Sequence, residues 1–195
     1  MNDNDLMWHQ NERAAKYRGV YLQAVSHIEW ILDATITEYF CPDDGNVQDE
    51  FIYSILASDK MTLSNKHQIF MFIAQRHCKE IYDYHYGPLP KKVQKAFPDY
   101  KTLGARMEII ISTRNKFAHR KFYLDSSMES VDSKIVFDTK TPRQGELIDS
   151  LFRVDDKEMG QLVKEVEIAT GSIDLVSKRI KERIKERHQK ATKKK

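Results

Sequence analysis

The residue types best suited to chemistry lie close together in one short segment, residues 114–119, which reads RNKFAH. Its histidine, His119, ionises near neutral pH, so it is suited to giving and accepting protons in catalysis. Its arginine, Arg114, carries a permanent charge on a planar fork, which suits it to stabilising a negatively charged phosphate. The sequence contains no Gly-rich phosphate loop, Gly-x-Ser-x-Gly elbow or His-Glu-x-x-His pair, and thus gives no support for nucleotide hydrolysis or zinc hydrolysis.

A helix predicted over residues 99–120 has to position this segment. Its stripe, at helical spacing, consists of Leu103, Met107, Ile110, Arg114 and Phe117. Burying the Arg114 guanidinium without a partner costs on the order of several kcal/mol. Three interpretations stay open: a functional site, a structural ion pair with Glu29 as one candidate partner, or an arginine whose stem packs while its head reaches water.

His119 lies on a different side of this helix from Arg114. Five residues correspond to about 140° around an ideal helix, whereas Asn115, four residues before His119, lies one turn away on nearly the same face. A straight helix therefore does not easily direct Arg114 and His119 at one phosphate. Either the helix loosens near its end, or a second copy of the chain completes the site, with two arginines and two histidines in one cleft.

Hydrophobic periodicity predicts further helices before this one. In the first segment, apolar or small residues recur at helical spacing at Ala14, Tyr21, Val25, Ile28, Leu32, Thr35 and Tyr39. Glu29 flanks this stripe and needs a partner, either a core arginine or water. A short helix over about residues 48–57 follows, and then a helix capped by Ser64, which the sequence GPLP at residues 87–90 ends.

After residue 120 the pattern changes from helical to extended. Short strands are predicted over residues 121–124, 134–138 and 146–154. Asp155 and Glu158 then have the spacing of a capping box at the start of a long last helix. The predicted fold class is therefore mainly α: four or five helices packed as a bundle, with a small antiparallel β insertion at about residues 121–154 before the last helix.

Composition limits the class of protein. The chain has 195 residues, of which 41% are hydrophobic and 31% charged, as expected of one globular domain with or without an appendage. No apolar run reaches the roughly 18 residues that a membrane helix needs, and residues 1–10 are polar, so we expect a cytoplasmic protein without a secretory signal or membrane partner. Cys41 and Cys78 match no metal spacing and are expected to be reduced thiols.

Positive charge is concentrated at the end of the sequence. Residues 178–195 contain ten lysines and arginines but only two glutamates, whereas the whole chain carries a net charge of +3. We therefore divide the sequence into a helical domain, residues 1–177, and a basic helix end and tail, residues 178–195. Such a tail either contacts nucleic acid through its phosphates or is simply a solvated face.

The segment 114–119 resembles the signature of the HEPN superfamily, which is an arginine, four to six residues and a histidine, often with asparagine directly after the arginine. Here the spacer has four residues and begins with Asn115. The first helix, with residues 28–30 reading IEW and then Leu32, is also similar to that family. The resemblance covers roughly residues 14–119 and the final helix, but not the β insertion. The same spacing at Arg183 and His188 lacks the asparagine, and we interpret it as chance.

The resemblance implies a metal-independent endoribonuclease that cleaves RNA as a homodimer and needs no cofactor. It implies catalytic roles for Arg114, Asn115 and His119. The candidate residues for holding the RNA backbone beside them are Lys116, Arg120 and Lys121, and the candidate supporting residue is Glu29. A toxin or antiviral-defence effector is the expected biological role, with an antitoxin or defence-system protein as a further partner. The alternative is a non-catalytic HEPN-like bundle that serves as an RNA-binding, protein-binding or dimerisation module.

Overall fold

A computed structural model describes residues 3–42, 45–123, 134–138 and 151–192. The helices and strands in these ranges, in chain order, are α1 (Asp3–Phe40), α2 (Gly45–Phe51), a π-helical turn (Ile52–Leu56), α3 (Leu63–His77), α4 (Lys79–Tyr86), α5 (Lys91–Ala96), α6 (Leu103–His119), β1 (Lys121–Tyr123), β2 (Ile135–Asp138), β3 (Phe152–Val154) and α7 (Asp156–Thr192). The chain is mainly helical, with a small antiparallel sheet before its last helix. The predicted fold class is confirmed at this level.

The small sheet joins the end of α6 to the start of α7. Its strand order is β1-β2-β3, and both neighbouring pairs are antiparallel. In register, Phe122 faces Phe137 across the first pair and Phe137 faces Phe152 across the second. The third strand begins at Phe152, so residue 151, which was predicted to belong to it, does not, and the part of the prediction that falls on residues 146–150 lies outside the described residues.

Several predicted helix boundaries differ in the structure. Ser64, predicted as the cap of its helix, lies inside α3, and the cap is Thr62, whose side chain accepts from the Asn65 N–H at 3.2 Å. The helix expected to run from residue 64 to the GPLP sequence is divided at Cys78, whose backbone leaves the helical region with φ −139° and ψ 48°. This break separates α3 from α4 without a glycine or proline, and so no local signal in the sequence marks it. Helix α5, which follows the GPLP sequence, was not predicted either.

The chain divides into two compact units, and helices α1, α6 and α7 contribute residues to both. The first unit holds residues 1–25 and 109–167. Its core is aromatic, because the Phe117 ring lies 5.0 Å from Tyr21 and 5.2 Å from both Phe137 and Phe152, measured between ring centroids. Edge-to-face and tilted pairs of this kind add about 0.5–1.5 kcal/mol each to the burial of apolar surface.

The first unit also contains the predicted capping box at the start of α7. The backbone N–H of Glu158 donates to Asp155 Oδ1 at 2.7 Å, and the backbone N–H of Asp155 donates to Glu158 Oε2 at 3.0 Å. The box is confirmed. Asp156, one position later, also accepts hydrogen bonds from Arg13 and Tyr17 of α1, which fixes the first turn of α7 against α1.

The second unit holds residues 26–108 and 168–195. Its buried apolar side chains come from α1, α3, α6, α7 and the π-helical turn, and include Ile28, Leu32, Ile36, Leu56, Phe70, Ile73, Met107, Ile173, Val176 and Ile180. In this unit α1 and α7 run in the same direction, since Thr35 hydrogen-bonds Ser177 at 2.6 Å and Glu38 pairs with Lys181 at 2.9 Å. No helix in the described ranges is both long and apolar enough to cross a membrane.

Candidate functional site

Helix α6 carries the predicted catalytic residues on its last two turns. It is an uninterrupted α-helix through His119, and the Arg120 N–H continues the pattern by donating to the Lys116 carbonyl at 3.0 Å. Arg114 is half-buried, while Asn115 and His119 are exposed. Of the two ways in which Arg114 and His119 were expected to reach one phosphate, a loosened helix end is therefore wrong. Completion by a second copy stays a prediction.

Arg114 is directed towards Asn115. Its Nη1 atom donates to Asn115 Oδ1 at 3.4 Å, which is the long end of the range for a hydrogen bond. Asn115 itself lies one turn before His119 and on nearly the same face of the helix. The structure thus brings Arg114 and Asn115 together, with the guanidinium at the surface and not in a buried ion pair.

Arg18 of α1 holds the end of α6. Its Nη2 atom donates to the backbone carbonyl of Arg120 at 2.7 Å, and its guanidinium carbon lies 5.6 Å from the centre of the Phe137 ring. The last carbonyls of a helix have no partner within the helix and carry partial negative charge, so a cation here supplies both a donor and a favourable charge. Arg18 therefore fixes the segment that contains His119 relative to α1 and β2.

The aromatic core of the first unit lies beneath the same helix end. Tyr21 is buried and its hydroxyl donates to the Ile110 carbonyl at 3.4 Å, and burial raises the pKa of this phenol well above its usual value. Phe117, which lies between Arg114 and His119 in the sequence, is fully buried. Because Phe117 contacts α1 and the sheet, the side of α6 opposite to it faces outwards with Asn115 and His119.

The basic residues next to the site differ in their surroundings. The Lys116 ammonium lies 4.9 Å from the centre of the Phe152 ring, and burial, together with the charge of Arg120, lowers its pKa. Lys116 and Arg120 are both half-buried. Lys121 is the first residue of β1, and its side chain lies outside the described parts of the chain. Lys116 in its ammonium form can bind a phosphate as a compact charge while it contacts an aromatic ring.

Glu29, the candidate supporting residue, belongs to the second unit and has a partner there that the sequence did not indicate. Its Oε1 atom accepts from the ammonium of Lys66 at 2.7 Å, and Asp33 accepts from the same ammonium at 2.8 Å. The Lys66 side chain is only 4% exposed. The predicted partner of Glu29, an arginine or water, is thus replaced by a buried lysine. Burial raises the pKa of Asp33 despite the neighbouring lysine.

Arg18 and Lys66 are the residues that the sequence analysis missed. For Arg18 a signal exists, because the stripe on α1 steps by seven residues from Ala14 to Tyr21, and Arg18 occupies the intermediate helical position. An arginine at a stripe position is the same anomaly that drew attention to Arg114. Lys66 has no such signal, since a lysine near the start of a helix is ordinary.

Comparison of the chain with protein-family models, with curated proteins and with solved structures finds no match. In the described ranges no group of three or more histidine, cysteine, aspartate and glutamate side chains is arranged to hold a metal ion.

Proposed function

We propose that this protein is a HEPN-type endoribonuclease that cleaves RNA without a metal ion and acts as a homodimer. The observation that carries the proposal is the end of α6, where Arg114, Asn115 and His119 lie at the surface of an intact helix and Arg18 holds that helix end in place. An imidazole and a guanidinium beside a cluster of basic residues are the groups that transesterification of RNA requires.

In the proposed reaction the 2′-oxygen of a ribose attacks the neighbouring phosphorus. His119 of one copy accepts the 2′-hydroxyl proton, and His119 of the other copy protonates the 5′-oxygen as its bond to phosphorus breaks. The products are a 2′,3′-cyclic phosphate and a 5′-hydroxyl. Arg114 donates to the non-bridging oxygens as they gain negative charge, and its fixed fork suits both of them at once.

Asn115 has a positioning role in this proposal. Its side-chain oxygen accepts from Arg114, and its amide nitrogen, a donor, can bind a phosphate oxygen. Lys116 and Arg120 neutralise the phosphates that flank the scissile bond, and Lys121 continues the same basic edge into β1. A toxin or defence-effector role, with an antitoxin or defence-system partner, is consistent with uncontrolled RNA cleavage being harmful to a cell.

The direct test is to incubate the purified protein with RNA in an excess of chelator. We expect cleavage that gives 2′,3′-cyclic phosphate ends, and none on a strand with 2′-deoxyribose at the scissile position. His119→Ala should lower the rate by about 10²–10⁴-fold, the usual contribution of a general acid or base. Arg114→Ala should lower it by about 10²–10³-fold, as for a lost electrostatic stabiliser.

The matched control is His9→Ala, because His9 is also an exposed histidine of the first unit but lies near the start of α1. Cleavage that persists in His119→Ala, or that requires added magnesium, would refute the proposal. RNA binding without any cleavage would instead support the non-catalytic HEPN-like module.

A further inference from the structure

A second basic cluster lies in the second unit, where α3, α4 and α7 enclose a cavity of about 230 Å³ that we call the junction pocket. Four cations line it: Arg76 and Lys79 from the junction of α3 and α4, and Arg179 and Arg183 from α7. One carboxylate, Glu80, lines it as well. An excess of positive charge in a concave site focuses the potential there and attracts anions.

The α7 wall of the junction pocket presents two guanidinium groups side by side. Arg179 and Arg183 are four residues apart, so they lie on one face of the helix about one turn from each other. Each pairs with a glutamate three residues further on, at 2.6 Å for Glu182 and 3.1 Å for Glu186. Because these glutamates are exposed, each pair contributes only about 0–1 kcal/mol. Both arginines can therefore exchange their glutamates for a phosphate at small cost.

The opposite wall is the break between α3 and α4. Helix α3 ends at His77, Cys78 is non-helical, and α4 begins at Lys79. The first N–H groups of a helix have no carbonyl partner within that helix, and the first residues of α4 line the pocket. Helix starts of this kind attract anions. His77 also lines the pocket, but its Nε2 atom is hydrogen-bonded to the Tyr39 hydroxyl at 2.7 Å, so we do not count it among the phosphate-binding groups.

The size of the pocket limits its ligand. Sites for whole small molecules occupy roughly 300–1,000 Å³, and the junction pocket is smaller than that range. A single phosphate group, held by arginines from one helix and by a lysine and a helix start from another, fits both the volume and the charge.

We infer that the junction pocket binds one phosphate group of a single-stranded RNA, separately from the site at the end of α6. That the strand is RNA rests on the proposed function; that the ligand is a phosphate rests on the pocket alone. The basic segment of α7 thus acts through two specific arginines and not through its net charge.

The test measures binding and not cleavage. Chains carrying His119→Ala are titrated against a fluorescent single-stranded RNA of about 12 nucleotides, and anisotropy is followed at several salt concentrations. Adding Arg179→Gln and Arg183→Gln should reduce the salt slope by about 0.7 and the affinity by roughly fivefold near 0.1 M salt, given about 0.7 for the one phosphate contact that is lost on a single strand. Arg76→Gln with Lys79→Gln, on the opposite wall, should act in the same direction.

The comparison pair is Lys178→Gln with Lys185→Gln, which removes the same charge from exposed positions on α7 outside the pocket. It should weaken binding by less than about threefold. An equal loss in this pair and in the arginine pair would show a non-specific basic surface and overturn the pocket, as would full affinity in both pocket variants. Thermal unfolding followed by circular dichroism verifies that each variant is folded.

Two RNA probes distinguish the sources of the phosphate. If the pocket variants lose affinity for strands with and without a 5′-phosphate, a backbone phosphate occupies the pocket; if only the phosphorylated strand is affected, the terminal phosphate does. The two proposals also fail separately. If the pocket variants bind RNA normally while His119→Ala abolishes cleavage, the pocket proposal is refuted and the nuclease proposal stands. If the pocket variants lose RNA binding while the unmodified chain cleaves no RNA, the nuclease proposal is refuted and the pocket proposal stands.

Discussion

Replacing Arg18 by methionine tests whether this arginine holds the end of α6. Methionine keeps most of the apolar stem that packs in the first unit but loses the guanidinium. The lost hydrogen bond from Nη2 to the Arg120 carbonyl, 2.7 Å long, has a charged donor and is worth about 1.5–3 kcal/mol. The lost contact with the Phe137 ring is worth about 0.5–2 kcal/mol.

One contribution has the opposite sign. The Nε atom of Arg18 is buried and has no hydrogen-bond partner among the described residues, so removing it regains about 1–3 kcal/mol of desolvation cost. The net loss in the free energy of unfolding is therefore about 2 kcal/mol. For a chain of this size that corresponds to a fall of about 4–8 °C in Tm. Arg18→Lys keeps the charge but not the planar fork, so its free energy of unfolding should lie between those of the unmodified chain and Arg18→Met.

The measurement is urea unfolding followed by far-ultraviolet circular dichroism. Lys16→Met serves as the control, because Lys16 is an exposed residue of the same helix two positions earlier, and a surface change of this type stays within about 0.5 kcal/mol. If Arg18→Met is no more destabilising than Lys16→Met, the assigned role of Arg18 is wrong. If the role is correct, RNA cleavage by folded Arg18→Met should also fall by about 10²-fold, since the helix end that carries His119 is no longer fixed.

Two further predictions concern the dimer and acid stability. Mixing equal amounts of unmodified and His119→Ala chains should leave about a quarter of the original cleavage per total chain, because only about a quarter of the dimers then carry two histidines; about a half remaining would mean that each chain acts alone. Burial lowers the pKa of His67 from 6.5 to about 4, so stability that is complete above pH 6.5 is lost as the pH falls towards 4, since the unfolded chain takes up the proton first. His67→Gln, which retains a hydrogen-bonding group for the Tyr86 hydroxyl, should reduce this acid loss by about 3 kcal/mol. The measurement is urea unfolding at several pH values, and coinciding pH profiles of the two proteins would contradict the prediction.

The sequence predicts the features of this protein that depend on neighbouring residues. Helical spacing places Tyr21, Ile28 and Leu32 in the core, and all three are buried. The spacing of Asp155 and Glu158 predicts the capping box, which the structure contains. The change to alternating apolar residues predicts strands after residue 120. Each of these patterns records a local geometry, so it can be read without knowledge of distant contacts.

Features that depend on distant partners could not be predicted. Lys66 is buried because Glu29 and Asp33 approach it from another helix, and no pattern around Lys66 records that pairing. The break at Cys78 lacks a helix-breaking residue, so helix propensity along the segment does not reveal it. For Arg114 and His119 the sequence predicts positions on α6 correctly, but the joint action that we propose for them depends on a second copy, which one sequence cannot describe.

The pairing of α1 has a consequence for how the protein folds during its synthesis. Three hydrogen bonds of α1 have partners far along the chain. Tyr21 bonds Ile110, Arg18 bonds Arg120 and Thr35 bonds Ser177, at separations of 89, 102 and 142 residues. At about 5–20 residues per second, a ribosome needs on the order of ten seconds to make the last of these partners. During that time α1 has early partners such as Lys66 but lacks these later contacts, and their order along the chain works against rapid folding. The newly made helix is therefore a natural binding site for a chaperone, and the proposed nuclease stays incomplete until α7 has left the ribosome.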